Sequence, residues 1–130
     1  MRIAIVDDSG TARMFIRRCL EIAGFQGAEI IEAVNGKDAL EQIRNAPVDL
    51  LLTDLTMPVM DGTTLLKWIK ANPKLCQLPV LVISSAGNPA KEIELKALGA
   101  MGVLDKPVSP AKLNMLLRDF LEKGGGESDQ

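Results

Sequence analysis

The segment Val48-Asp49-Leu50-Leu51-Leu52-Thr53-Asp54-Leu55-Thr56-Met57-Pro58 restricts the possible folds more than any other part of the chain. Four consecutive apolar or β-branched residues, Leu50 to Thr53, lead straight into a carboxylate, and Pro58, Asp61 and Gly62 behind it are turn formers. A short apolar run bounded by turn signals reads as a strand buried on both faces, as in parallel sheets. Asp54 emerges at its carboxyl end, and in open α/β sheets that edge is where ligands bind.

The remaining chain repeats this pattern. Residues 2–6 are apolar and β-rich and stop at Asp7-Asp8. A helix follows Ser9-Gly10, with Ala12, Phe15, Ile16, Cys19, Leu20 and Ala23 at helical spacing and Gly24 closing it. A second strand is expected over 28–34, and Asn35 then caps a helix that turns Ala39, Leu40 and Ile43 inward and ends before Pro47. Asp61 caps a third helix carrying Leu65, Leu66, Trp68 and Ile69, which ends before Pro73. A fourth strand is expected over 78–83. Asn88 and Pro89 start a fourth helix, stiffened by a Glu92–Lys96 pair and ended by Gly99. A short strand, 102–105, precedes Lys106-Pro107, and Ser109-Pro110 begins the last helix with its stripe of Leu113, Leu116, Leu117, Phe120 and Leu121. Five strands alternating with five helices predict an α/β doubly wound parallel sheet, flavodoxin-like if its order is the common 2-1-3-4-5.

Composition narrows the function. The chain has 130 residues, enough for one domain that buries about two-thirds of its unfolded surface. Its net charge is −2, with no basic run, one Trp, three Phe and no Tyr, which disfavours nucleic acid as a partner. No segment approaches the roughly 18 apolar residues of a membrane span, and Cys19 and Cys76 lack metal or redox spacing, so a cytoplasmic protein with two reduced thiols is expected. There is no His, hence neither the commonest zinc ligand nor the commonest general base.

Parallel topology gathers the polar strand ends on one edge: Asp7 and Asp8, Asp54, Ser84-Ser85 and Lys106. Two like charges ~4 Å apart repel by about 4 kcal/mol at an effective dielectric near 20, so three carboxylates in one pocket call for a cation. Oxygen donors without His or Cys specify a hard ion, and Mg²⁺ fits best. Together with the Lys106 ammonium, such a site suits nucleophilic attack by a carboxylate on phosphorus. Each residue alone has a plainer reading: Asp7 or Asp8 as a helix cap, Asp54 as a turn residue, Lys106 as a solvated lysine and Ser85 as a loop hydroxyl. Their convergence at several strand ends favours chemistry.

These residues also carry a resemblance. The pieces Ile5-Val6-Asp7-Asp8-Ser9, Ala33-Val34-Asn35-Gly36, Asp54-Leu55-Thr56-Met57-Pro58-Val59-Met60-Asp61-Gly62, Ser85-Ala86, Leu98-Gly99-Ala100 and Lys106-Pro107 are together specific. Over about residues 1–122 the chain resembles the receiver domain of bacterial two-component response regulators, of the single-domain, chemotaxis type, with 123–130 a flexible Gly-rich tail. The resemblance implies a switch that takes a phosphoryl group from a histidine kinase onto Asp54. It implies Mg²⁺ on Asp8 directly, on Asp7 mainly through water, on Asp54 and on the Thr56 carbonyl. Lys106 would contact the phosphoryl group, and Ser85, preferred to Ser84 because Ala86 follows it, would hydrogen-bond it. The Lys106-Pro107 bond becomes a candidate for the cis form. The expected target surface is the fourth helix, fifth strand and fifth helix of a monomer, with dimerisation on activation open.

One position departs from the family: the aromatic common three residues before the lysine is Val103 here. Signalling would then run through the loop after the fourth strand or a smaller repacking. Dephosphorylation by in-line water attack would depend on Thr56 and Gly87. Two other classes compete. A haloacid-dehalogenase-like phosphatase would need a second Asp where Thr56 stands, and a non-phosphorylated adaptor would have no use for Asp7, Asp8, Asp54 and Lys106. No Gly-x-Gly-x-x-Gly or Gly-rich phosphate loop follows the first strand, which ranks a flavodoxin or dinucleotide route lower still. The chain is therefore expected to be a phosphoacceptor rather than an enzyme turning over an external substrate.

Overall fold

Parallel pairing explains why the apolar runs of the three inner strands lack polar alternation: each has one helical layer on either side, whereas the edge strand of Glu29–Ala33 keeps exposed glutamates. The computed structural model describes residues 1–85 and 88–121. The elements are β1 (Arg2–Val6), α1 (Gly10–Leu20), β2 (Glu29–Ala33), α2 (Gly36–Asn45), β3 (Leu50–Asp54), α3 (Gly62–Ala71), β4 (Val80–Ser84), α4 (Pro89–Ala97), β5 (Gly102–Asp105) and α5 (Pro110–Leu116). The five strands are parallel in the order β2-β1-β3-β4-β5, as expected.

Strand parity divides the core in two. Ile3, Ile5, Leu50, Leu52, Leu81, Ile83 and Leu104 pack with Ile16, Cys19 and Leu20 of α1 and Leu113 of α5. Ala4, Val6, Leu51, Val80 and Val82 pack with Leu40 and Ile43 of α2, Leu65, Leu66 and Ile69 of α3, and Leu95 of α4. β3 is central and all five of its residues are buried, so its end is firmly held on the sheet edge. Among the described residues no helix is long and apolar enough to cross a membrane.

Each helix starts at that edge with a polar cap. The side chains of Ser9, Asn35, Asp61, Asn88 and Ser109 each accept the backbone N–H three residues on, satisfying a donor that the first turn leaves free. The Glu92–Lys96 pair forms at 2.9 Å.

Several expectations need correction. β2 is shorter than 28–34, with Val34 exposed after its end, and β4 begins two residues later than 78, at Val80. The closure of the first helix at Gly24 holds, with one addition before it. α1 runs into a π turn over Glu21–Phe25, where Gly24 takes φ 118°, open to glycine at little steric cost. Phe15 (52% exposed), Trp68 (55%) and Leu116 (38%) leave the core stripes assigned to them. α5 breaks at Leu117 and resumes over 118–121. Ala86, Gly87 and residues 122–130, and with them the expected tail, lie outside the described residues.

Asp61 gives a stability prediction. The Thr64 N–H that it caps holds its carboxyl below the ordinary 3.8. A depressed carboxyl stabilises the fold above its unfolded pKa, and that contribution fades as pH falls through the folded value. Asp61→Ala should cost about 1 kcal/mol in urea denaturation at pH 7. The gap to the unsubstituted protein should narrow below pH 3.8.

Candidate phosphoacceptor site

The same parity that sorts the core builds the site. Asp54 continues the Leu50–Leu52 series at the end of β3, Asp7 continues Ile3–Ile5 one residue beyond β1, and Lys106 continues Leu104 beyond β5. Asp7 is 3% and Asp54 8% exposed, whereas Asp8, of opposite parity, is exposed. Carboxylate oxygens of Asp7, Asp8 and Asp54 lie within 4.8 Å of one another. The Lys106 ammonium stands 3.2 Å from Asp54 Oδ1. The convergence of β1, β3 and β5 ends expected from the sequence is therefore present.

The loops are fastened by backbone bonds. Asp7 N–H donates to Ala33 O at 3.0 Å, Leu55 N–H to Ile83 O at 3.0 Å, and Lys106 N–H to Ser84 O at 2.8 Å. The Lys106–Pro107 peptide is cis. After β3 the chain turns through Val59, the one described non-glycine with positive φ, at 68°. Met60 O accepts from Gly36 N–H at 3.1 Å and Gly62 N–H donates to Leu55 O at 2.8 Å, latching the turn at both ends. A Cβ on Gly62 would collide with Asp54 O and come within 3.0 Å of Leu55 Cα. Glycine is there because α3 starts directly against the Asp54 main chain.

The electrostatics are those of clustered like charges with one lysine beside them. Burial pushes the Asp7 carboxyl up from its ordinary 3.8; the Ser9 N–H at 2.8 Å and Lys106 oppose this, and Asp54 and Asp8 add to it. At 4.8 Å or less, Asp7 and Asp54 repel by at least about 3.5 kcal/mol at an effective dielectric near 20. Lys106 is half exposed, so its pairing with Asp54 offsets only part of that. Three carboxylates and no nitrogen or sulfur donor fit a hard divalent ion such as Mg²⁺. Among the described residues nothing donates to the Thr56 carbonyl, which is consistent with a ligand role.

The sequence-chosen serines part company here. Ser84 is buried at the end of β4, opposite Asp105, with its hydroxyl 3.4 Å from Ser85 O. Ser85 is exposed beyond the strand. Gly87 lies outside the described residues.

Sequence reading missed two cations. Arg13 in α1 donates to Asp7 O at 2.6 Å and to Glu32 Oε1 at 2.8 Å, tying the acidic loop to β2. Lys112 in α5 donates to Asp105 O and Pro107 O. Neither has a periodic signature, because a long side chain reaching back over a loop leaves no trace in residue spacing.

Comparison with known proteins decides the family. The model of the response regulator receiver domain matches residues 3–118. The chain belongs to this family. It is 33% identical over 128 residues to a chemotaxis protein CheY homolog of Campylobacter jejuni, covering 98% of this chain and 97% of that protein. The chemotaxis response regulator CheY4 of Vibrio cholerae superposes with a TM-score of 0.79 at 32% identity, covering 91% of this chain and 96% of that one. The Mn²⁺-bound form of response regulator Rcp1 gives 0.79 at 26% identity, covering 93% and 94%. The protein is thus a CheY-type receiver domain, consistent with phosphorylation-dependent two-component signalling, and its acidic pocket is of the kind through which receivers bind a divalent metal.

Two substitutions probe this geometry. For Asp7 the sign is opposite to that for Asp61: a raised carboxyl penalises the fold above its folded pKa, and the penalty vanishes below the unfolded 3.8. Asp7→Asn, which keeps an oxygen for the Ser9 N–H, should raise the metal-free melting midpoint by a few degrees at pH 7, with the gain disappearing in acid. Gly62→Ala should cost about 1–3 kcal/mol in chemical denaturation, because the new methyl group must displace main chain.

Proposed function

We propose that the chain is a phosphorylation-controlled signalling switch, accepting a phosphoryl group on Asp54 from a histidine kinase and then engaging a protein target. The observation that carries this reading is a carboxylate on the central strand end with a lysine ammonium 3.2 Å away and two more carboxylates beside it. An Asp54 carboxylate oxygen would attack phosphorus in line. The bond from phosphorus to the donor's leaving nitrogen breaks, its electron pair returns to the imidazole, and an acyl phosphate remains. Lys106 would neutralise charge on the transferred oxygens.

Asp7, Asp8, Asp54 and the Thr56 carbonyl would hold Mg²⁺, and the family likeness to a Mn²⁺-bound response regulator supports a divalent ion there. When bound, the ion supplies positive charge against the phosphoryl oxygens. Ser85 continues the parity of Leu81 and Ile83 on the face shared by Asp54 and Lys106, which supports it over Ser84 as the hydroxyl that closes on the phosphate. Water attack in line with the acyl phosphate would reverse the state, with Thr56 at the rim. In this reading the chain assists its own phosphorylation and dephosphorylation and turns over no external substrate.

The target would dock on α4, β5 and α5, where Ile93, Met101, Met115 and Leu116 are exposed. Val103 sits half-buried beside Val82 on β4, so the signal would pass through main-chain movement after β4 rather than through an aromatic rotamer. The receiver unit is taken as residues 1–122, with 123–130 a tail, and the working state as a monomer in the cytoplasm.

Intact-protein mass spectrometry after incubation with acetyl phosphate tests the reading. One Mg²⁺-dependent phosphoryl adduct is expected, absent from Asp54→Asn and formed at least about tenfold more slowly in Lys106→Met. Failure of the folded protein both to gain the adduct and to bind beryllofluoride would replace the switch with an adaptor.

A further inference from the structure

Lys112 occupies a position at which a lysine works against its own helix. It is the third residue after the Ser109 cap, donating its main-chain N–H to Ser109 Oγ at 3.2 Å. The positive end of the helix dipole disfavours a cation in this turn, and a Glu there would complete a capping box. α5 has no acidic residue in its first turn to compensate. Lys91 stands at the equivalent position of α4, but Glu94 pairs with it at 3.2 Å. Among the described residues Lys112 pairs with no carboxylate. Its ammonium instead donates to Asp105 O at 3.2 Å and to Pro107 O at 3.0 Å.

Those two carbonyls bracket Lys106. We propose that Lys112 is a positioning residue, clamping the β5–α5 loop from both sides of Lys106 so that the Lys106 ammonium is held against Asp54. The local cost at the helix start is then the consequence of a requirement at the site, where departures from local preference tend to collect. The loop has a second anchor, the Lys106 N–H to Ser84 O bond at 2.8 Å, which holds the same peptide plane as Asp105 O, so the restraint that Lys112 alone supplies is the one on Pro107 O beyond Lys106. Three ammonium donors on one flexible stem can serve two carbonyls at once, which a neutral methionine stem of similar shape cannot do. The proposal rests on the phosphoacceptor reading of Asp54 for its functional consequence, while its structural content stands apart from it.

The test uses the full chain with Lys112→Met and Lys112→Arg, and with Lys74→Gln as a charge control at the opposite sheet edge. Amide hydrogen exchange at Lys106, read by NMR, reports opening of the loop, and the rate of Asp54 phosphorylation by acetyl phosphate with Mg²⁺ reports its consequence. In Lys112→Met, exchange at Lys106 should accelerate and phosphorylation slow, each by about three- to tenfold, the effect of losing such hydrogen bonds. The melting midpoint should stay level or rise, since an unfavourable helix charge is gone. Lys112→Arg should restore both readouts, and Lys74→Gln should match the unsubstituted protein. Exchange at Lys106 unchanged in Lys112→Met would overturn the proposal even if phosphorylation slowed, because the charge would then act through space. If the unsubstituted protein neither takes a phosphoryl group nor binds beryllofluoride, the phosphoacceptor reading fails on its own, and exchange at Lys106 alone decides whether the clamp exists.

Discussion

Repulsion among Asp7, Asp8 and Asp54 is the interaction the rest of the structure must withstand. Three carboxylates within 4.8 Å, two of them buried, would drive apart any loops free to move. They are instead carried on adjacent parallel strands, β1 and β3, whose register fixes Val6 beside Thr53. The ladder continues past the strand ends through Asp7 N–H to Ala33 O and Leu55 N–H to Ile83 O. Main-chain bonds in the sheet cannot relax without exposing buried donors and acceptors, so the charges stay together. The strain is left as an electrostatic demand for a cation, in keeping with the acidic pocket through which receiver domains bind a divalent metal.

Around this cluster the turns are set by contacts that tolerate little change. Gly62 lets α3 begin against Asp54 O, and Met60 lies so close to Gly36 that a Cβ there would fall 2.7 Å from its Cγ. Val59 accepts a left-handed conformation between these two latches. Arg13 and Lys112, one from each helix on the same face of the sheet, hold the carbonyls of the loops that carry Asp7 and Lys106. These two cations thus grip main chain around the acidic pocket, while within it Asp54 Oδ1 faces Lys106 and Asp7 Oδ1 accepts the Ser9 N–H.

Much of this was legible beforehand because it depends on local rules. A period-two strand with both faces covered reads as an apolar run, and each ends at a residue whose polarity marks the sheet edge, as at Val6-Asp7 and Thr53-Asp54. The capping residues Asn35, Asp61, Asn88 and Ser109 were read correctly, since a cap bonds only three residues away. Trp68 misled because its size outweighed its angle. It lies about 130° round α3 from the centre of the arc formed by Leu65, Leu66, Ile69 and the first turn, too far to reach the sheet. Phe15 failed in the same way beside Ile16 and Cys19. The π turn after Leu20 left no signal of its own, whereas Gly24 was read as the helix end and its φ of 118° breaks the helix there.

By itself the sequence determined the alternation of strands and helices, the polar ends of the strands and the oxygen-only character of the site, because each follows from neighbours a few residues apart. Only the tertiary structure decided which carboxylates are buried, that Lys106 stands 3.2 Å from Asp54, that Gly62 is needed to clear the Asp54 carbonyl, and that Arg13 and Lys112 turn back onto the loops. These depend on strand parity carried across a sheet and on long side chains reaching main chain, and a distance between residues 54 and 106 is set by packing that no local preference encodes.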